Sequence, residues 1–295
     1  MIQTNGITEK QTRTELALDQ YLPSVTSDNR LHQAMRYSAL GGGKRIRALL
    51  VYGTGMIFDA PLPVLDMLAA SIEMIHCYSL IHDDLPAMDD DDLRRGKPSA
   101  HKQFDDATAI LAGDALHSLA FEILSTEPRD YAHPEKRVLF IQTLARAIGP
   151  QGMTLGQMLD LTLQKDSASI HDISEMQQLK TGKLLQAGIQ LGTLAGTNRN
   201  IQSVQALREF GQCIGLAFQI KDDILDVEST TEVLGKKQFS DIKQDKPTYL
   251  QFQGMASAKI TLDELIDNAL TSLEILGSRG DFLREITHFI LKRNY

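Results

Sequence analysis

The chain has 295 residues, enough for one large domain or two ordinary ones. With 23% charged and 42% hydrophobic residues it has the composition of an ordinary globular protein, not of a disordered one. The net charge of −8 excludes the basic footprint that a nucleic-acid partner demands, and two cysteines, Cys77 and Cys213, form neither a disulfide framework nor a zinc pattern.

The N-terminal MIQTNGITEKQTRTEL lacks the basic start and apolar core of a signal peptide. The most apolar long segment, residues 64–81, carries Asp66, Glu73 and His76, so no integral membrane segment is expected. A cytoplasmic location follows as the default.

Apolar residues recur at spacings of three and four, and strand-like alternation is scarce, which predicts an all-α fold. In chain order the predicted helices span 9–21, 29–40, 44–57, 64–84, 105–124, 134–148, 154–163, 170–194, 204–226, 249–256, 261–276 and 282–292. Pro23, Pro61, Pro63, Pro98, Pro128, Pro134 and the glycines of 277–280 punctuate them as turns. No linker, low-complexity stretch or short repeat intervenes, so residues 1–295 are expected to form one domain, with an N-terminal helix inside 1–28. Helices apolar on more than one side, such as 65–75, belong inside a large bundle.

The segment DDLPAMDDDDLRRGKP, beginning at Asp83, holds six aspartates in ten positions; without them the net charge would be −2. Most charge runs are solvated surface. This one follows directly on the apolar 71–81, and a second cluster, Asp222-Asp223-Ile224-Leu225-Asp226, ends another apolar segment. Asp222 and Asp226 lie about 40° apart on a helix and share a face. Asp83 and Asp89 are separated by about 240° and about 9 Å on an ideal helix, so joint service to one ion cluster requires a distortion between them, for which Pro86 is placed.

Carboxylates without His or Cys favour hard cations, Mg2+ above all where phosphates complete the shell. A calcium EF-hand does not fit, because Arg94 stands at the sixth position counted from Asp89. Cations to meet phosphate are at hand in Arg94, Arg95 and Lys97, and in GGGKRIR, where a glycine turn is expected to open a helix carrying Lys44 and Arg47 at i and i+3. Without the two acidic clusters that turn would read as ordinary surface. His76 lies about 20° from Asp83 on the helix and faces the same way. His82 reads as structural.

Together these elements resemble the trans-isoprenyl diphosphate synthases, the bacterial farnesyl diphosphate synthases in particular. Asp83, Asp84 and Asp89 match the first aspartate-rich motif, and Asp222, Asp223 and Asp226 match the second. Gly42 to Arg47, Lys180-Thr181-Gly182, Gln219, Gly235-Lys236, Lys246 with Thr248-Tyr249, and Arg293-Asn294 extend the match from about Asn29 to the C-terminus. Phe239, Leu155 and Leu250 depart from it.

The resemblance implies a single large helical bundle of the isoprenoid synthase type with a central substrate cavity, homodimeric. It also implies Mg2+, three ions per site, held by Asp83, Asp89 and Asp222 with Asp84 and Asp226 in support. Arg94, Lys180 and Lys236 would grip the diphosphate of dimethylallyl or geranyl diphosphate. Lys44, Arg47, His76 and Arg95 would hold isopentenyl diphosphate. Carbonyls near Lys180, the Thr181 hydroxyl and the Gln219 amide oxygen would stabilise an allylic cation.

Ser79 shares the face of Asp83 one turn deeper, with Tyr78 beside it. The pair resembles the cavity floor of C15-producing relatives, although plain core packing explains Tyr78 equally well. Farnesyl diphosphate is the expected product. Geranyl diphosphate is the runner-up, and a terpene cyclase or a non-catalytic regulatory subunit are the rival functions.

Overall fold

The computed structural model describes residues 5–25, 28–131, 133–164, 168–228 and 249–293. The described helices are α1 (Asn5–Tyr21), α2 (Arg30–Ala39), α3 (Ile46–Ile57), α4 (Leu62–Asp83), α5 (Ala100–Gln103), α6 (Asp106–Thr126), α7 (Pro134–Ile148), α8 (Met153–Thr162), α9 (Ile170–Gln177), α10 (Lys183–Ala195), α11 (Ile201–Glu228), α12 (Tyr249–Ser272) and α13 (Asp281–Lys292). A π-helical turn, Gln178–Gly182, joins α9 to α10, and a 3-10 segment, Glu274–Gly280, precedes α13. Among the described residues the only strands are β1 (Leu93–Arg94) and β2 (Lys97–Pro98), an antiparallel pair. The all-α expectation stands.

α4 is the central post. Pro63 lies in its first turn, where a missing N–H costs nothing, and Val64 to Ile75 is buried on nearly every side except Asp66. α6 packs along it, with Ala109, Ala112, Leu116 and Ala120 fully buried at the contact. Small residues at that spacing let the two axes approach closely.

Two hydrophobic clusters make up the interior. One gathers α1, α2, α4, α6 and α7; the other gathers α11, α12 and α13. Both take side chains from α3 and α10, whose residues alternate between them: Val51 and Leu184 face the first, Leu50 and Leu185 the second. α4 and α6 are each long and apolar enough to cross a membrane by length and composition. α4 is 72% buried over its most apolar window, as a core helix would be, and α6 is 39% buried there.

α1 is tied to the Gly-rich loop that precedes α3. Glu15 pairs with Arg45 at 2.7 Å, Arg45 pairs with buried Glu73 of α4 at 3.1 Å, and Gln11 Nε2 donates to the Lys44 carbonyl at 2.9 Å. Arg45 is buried and compensated on both sides, so it anchors the loop and leaves its neighbours for the cavity.

Candidate active site

Between the helix ends lies a cavity of about 580 Å3. Asp83, Asp89, Asp222 and Asp226 all line it, as do Lys44, Arg47, His76, Arg94, Arg95, Lys180, Thr181, Gln219, Tyr78 and Ser79. Lys236 lies outside the described residues, as do Phe239, Lys246 and Asn294.

The first acidic wall is built by the end of α4. The distortion takes the form of a helix end, within a residue of the one expected: α4 stops at Asp83, and the chain folds back so that the Asp89 N–H donates to the Asp83 carbonyl at 2.9 Å. Pro86 in a tight turn lets this happen, since it cannot extend the helical ladder. The turn brings Asp89 back beside Asp83.

Asp84 stands apart from Asp83 and Asp89. It is 3% exposed and does not line this cavity; it accepts from Arg94 Nε at 3.0 Å and from Arg94 Nη2. Burial pushes its carboxyl up from the usual range, with Arg94 opposing. Asp84 is therefore a holder of Arg94, and Arg94 reaches the cavity already paired to Asp84 and, at 3.4 Å, to Asp91.

Arg94 and Arg95 sit on the β1–β2 hairpin, which the sequence reading did not foresee. Arg95 and Gly96 form its two-residue loop, both at positive φ, as a tight hairpin turn requires. The hairpin sends the Arg95 guanidinium over the Gly-rich loop. A Cβ built at Gly43 would lie 3.0 Å from Arg95 Cζ, so the missing side chain there makes room for the cation.

The expected helix start at residue 44 is also corrected. Arg45 is left-handed at φ 53° and α3 begins at Ile46, so Lys44 and Arg47 reach the cavity from loop and helix respectively, not from successive turns. Arg47 Nε and His76 Nδ1 are buried with no hydrogen-bond partner among the described residues. Buried polar atoms are almost always bonded, so two orphans beside Arg95 and Lys44 mark a place for an anion. Burial and the nearby Arg47 and Arg95 hold the His76 imidazole well below its ordinary range, so it is neutral at physiological pH. Burial and then the charge of Arg293 push the Lys44 amine down to about 8.

Lys180 comes from the π-helical turn that joins α9 to α10. Its amine pairs with Asp160 of α8 at 2.7 Å and with Asp83 at 3.4 Å. Burial raises the Asp83 carboxyl and Lys180 opposes it. α8 lies very close to this turn: a Cβ at Gly156 would stand 2.2 Å from the Lys180 nitrogen. Gln157, one residue on, donates to Asp83.

On the second wall, Asp222 pairs with Arg293 at 2.8 Å. That guanidinium lies 3.8 Å over the Phe218 ring. At the deep end, Tyr78 meets His82 and His117 edge-on at 5.0 and 5.1 Å. His82 lies 3.1 Å from the Ile110 carbonyl, which fits its structural reading.

Sequence reasoning missed Asp91, Gln157, Asp160 and Gln177, all of which line the cavity, and took Arg293 only as a tail. Asp160 carried one signal: a half-buried Lys180 needs a counter-charge on whatever packs against it.

The cavity thus sets two carboxylate walls against a cation set inside a helical bundle. The polyprenyl synthetase family model matches residues 28–276. The chain belongs to the polyprenyl synthetase family. As a polyprenyl synthetase it is 45% identical to the farnesyl diphosphate synthase of Haemophilus influenzae, over 96% of each chain. A geranyltransferase from Legionella pneumophila superposes at a TM-score of 0.87, 39% identical, with 98% of this chain and 97% of that one covered. A geranyltransferase from Helicobacter pylori, 30% identical over 99% of this chain and 97% of that one, superposes at 0.84 and is complexed with magnesium and isoprenyl diphosphate.

The donor set fits Mg2+. The five motif aspartates at the cavity, Asp83, Asp89, Asp222, Asp223 and Asp226, offer oxygen only, and among the described residues no three acidic, His or Cys side chains close into a ready-made cage. Mg2+ is commonly held by one or two carboxylates plus substrate phosphates and waters, which is what open walls of this kind provide.

Proposed function

We propose that this polyprenyl synthetase is a prenyltransferase that condenses isopentenyl diphosphate head-to-tail with dimethylallyl and then geranyl diphosphate, giving (2E,6E)-farnesyl diphosphate. The observation that carries the reading is the sharing of one cavity by two separate sets of anion-holding groups. Carboxylates on two walls suit a metal-bound diphosphate. Lys44, Arg47, Arg95 and neutral His76 suit a second diphosphate without metal. A terpene cyclase has no use for that second set, and a regulatory subunit has no use for either.

Mg2+, three ions in our reading, supplies positive charge against the departing diphosphate when bound. Asp83, Asp89, Asp222 and Asp226 would hold it. Lys180 and Arg94 reach the same diphosphate, each kept in place by a carboxylate, Asp160 and Asp84 respectively. Lys236 is assigned the same task by the resemblance alone.

As the allylic C–O bond ionises, carbonyl dipoles near Lys180, the Thr181 hydroxyl and the Gln219 amide oxygen face the cation. The isopentenyl double bond attacks, and the proton lost from it passes to the released diphosphate. The apolar walls Met153, Met158 and Leu161 exclude the water that would quench the cation to an alcohol. Tyr78, backed by His82 and His117, forms the floor, and the small Ser79 leaves room above it for a C10 chain to enter.

Residues 1–295 acting as one domain is part of this proposal, supported by the side chains that α3 and α10 give to both cores. So are a homodimer and a cytoplasmic location. Exposed Ile110 and Leu111 give α6 an apolar face for a second copy.

Equilibrium binding separates the readings. Isopentenyl diphosphate should bind in EDTA, and a non-ionisable thiolo analogue of geranyl diphosphate should bind only with Mg2+. Failure of isopentenyl diphosphate to bind under either condition would remove the synthase reading.

A further inference from the structure

Asp223, the middle aspartate of the second motif, has no part in the scheme above, yet it is 4% exposed and central to a polar network. It lies one helical turn beyond Gln219 on α11. N–H groups from three elements point at it: Gln219 Nε2 at 3.2 Å, Gln177 Nε2 of α9 at 3.1 Å, and the backbone N–H of Tyr249, which starts α12, at 3.0 Å.

A carboxylate accepts hydrogen bonds and cannot donate them, whereas an amide side chain has one end of each kind. Any amide laid against Asp223 must therefore turn its NH2 to it. Gln219 and Gln177 both line the cavity, so each is left with its carbonyl oxygen as the end that can serve it. Gln177 shows the consequence: its Oε1 is buried with no hydrogen-bond partner among the described residues. A bare acceptor in a closed site is a cost to the fold unless something positive visits it.

We propose that Asp223 is a positioning residue that fixes the polarity of two amides, Gln219 and Gln177, so that two carbonyl dipoles meet the developing allylic cation. The inference rests on the prenyltransferase reading above. Gln177 becomes a second side-chain acceptor for the cation, and the motif's middle aspartate acts through these amides and not as a metal ligand. An asparagine at position 223 would present a donor as well as an acceptor. Gln219 could then settle with its NH2 toward the cavity, turning the wrong end of the dipole to the cation.

The test compares Asp223→Asn, Gln177→Leu and the double variant Asp223→Asn/Gln219→Glu with the unaltered enzyme. For Asp223→Asn we expect kcat to fall on the order of 10²-fold, the scale of losing one oriented dipole from a closed site. KM for both diphosphates and the Mg2+ half-saturation should stay within about threefold, since neither substrate grip nor metal is touched.

Titration gives a readout apart from turnover. An ammonium analogue of geranyl diphosphate, positive where the cation forms, should bind Asp223→Asn and Gln177→Leu about tenfold more weakly, while the neutral thiolo analogue keeps its affinity. The double variant should recover about tenfold of the lost kcat, because the amide introduced at position 223 can donate to the carboxylate introduced at position 219 and restore an oxygen toward the cavity.

Unchanged kcat with unchanged discrimination between the two analogues overturns the proposal. So does a raised Mg2+ half-saturation with kcat restored at high Mg2+, which would make Asp223 a ligand. If Asp223→Asn loses its thermal transition, Gln177→Leu decides alone: equal loss for both analogues, or none, sinks the idea. A wild-type protein that elongates while the variants match it refutes only this inference. A wild-type protein that neither elongates nor binds the analogues removes the prenyltransferase reading and this inference with it.

Discussion

Lys44 carries a pH signature of its own. Its amine is drawn down from the ordinary 10.5 to about 8, first by burial and then by Arg293. The kcat/KM for isopentenyl diphosphate reports the free enzyme, so it should decline as pH rises through about 8 and the amine loses its charge. Lys44→Arg, always charged, should flatten that limb; an unchanged profile would acquit Lys44. Stability runs the other way. The folded pKa lies below the unfolded one, so the cost of burying the charged amine is fully present below about 8 and fades toward 10.5.

Two neighbouring aspartates should also part company. Asp83→Asn removes a carboxylate from the cavity wall and should raise the Mg2+ half-saturation by about tenfold or more. Asp84→Asn loosens only Arg94 and should lower kcat by roughly tenfold with the Mg2+ requirement unchanged. A rise in Mg2+ requirement for Asp84→Asn would restore it as a ligand. For the floor, Ser79→Phe should shift the product from C15 to C10, read by gas chromatography of the dephosphorylated alcohols. Unshortened products would cancel the floor assignment.

At the scale of elements, the contact between α8 and the π-helical turn is the most exacting. A methyl group at Gly156 would stand 2.2 Å from the Lys180 backbone nitrogen, a contact no side-chain movement can relieve. Gly156→Ala should therefore push the turn out of place at a cost of about 1–3 kcal/mol in stability. kcat should fall with it, because the turn carries Lys180 and Thr181. Retained kcat together with an unchanged melting temperature would show that the turn can yield.

The helices themselves were legible in the sequence because their apolar spacing is the imprint of burial. The predicted span 170–194 matches α9 to α10 at both ends to within a residue. The interruption between them left no such imprint, since a π-helical turn keeps the same residues buried and changes only which carbonyl meets which N–H. The end of α4 was legible to within a residue, but the path of the chain beyond it was not. Six-residue spacing shows that Asp83 and Asp89 cannot share a face of a straight helix, but a bend and a full stop satisfy that equally. The hairpin was hidden by its size, as two-residue strands show no alternation. Asp84 could not be told from Asp83 by pattern, because its partner Arg94 lies ten residues away on that hairpin.

At the scale of the molecule, the bundle brings remote stretches of sequence to one cavity, among them the loop at 41–47, the acidic end of α4 with its hairpin, α8 with the π-helical turn, and the end of α11. α3 is almost wholly buried and α4 is buried over Val64–Ile75 except Asp66, so the loop and the acidic end stand on packed supports. This is the arrangement expected when two diphosphates of unlike needs must lie close enough for carbon to meet carbon. Incubation of the purified protein with isopentenyl diphosphate and radiolabelled dimethylallyl diphosphate, in Mg2+ and in EDTA, tests that account most directly. A C15 product that forms with Mg2+ and vanishes in EDTA is the expected result; no elongation under any metal condition would contradict it.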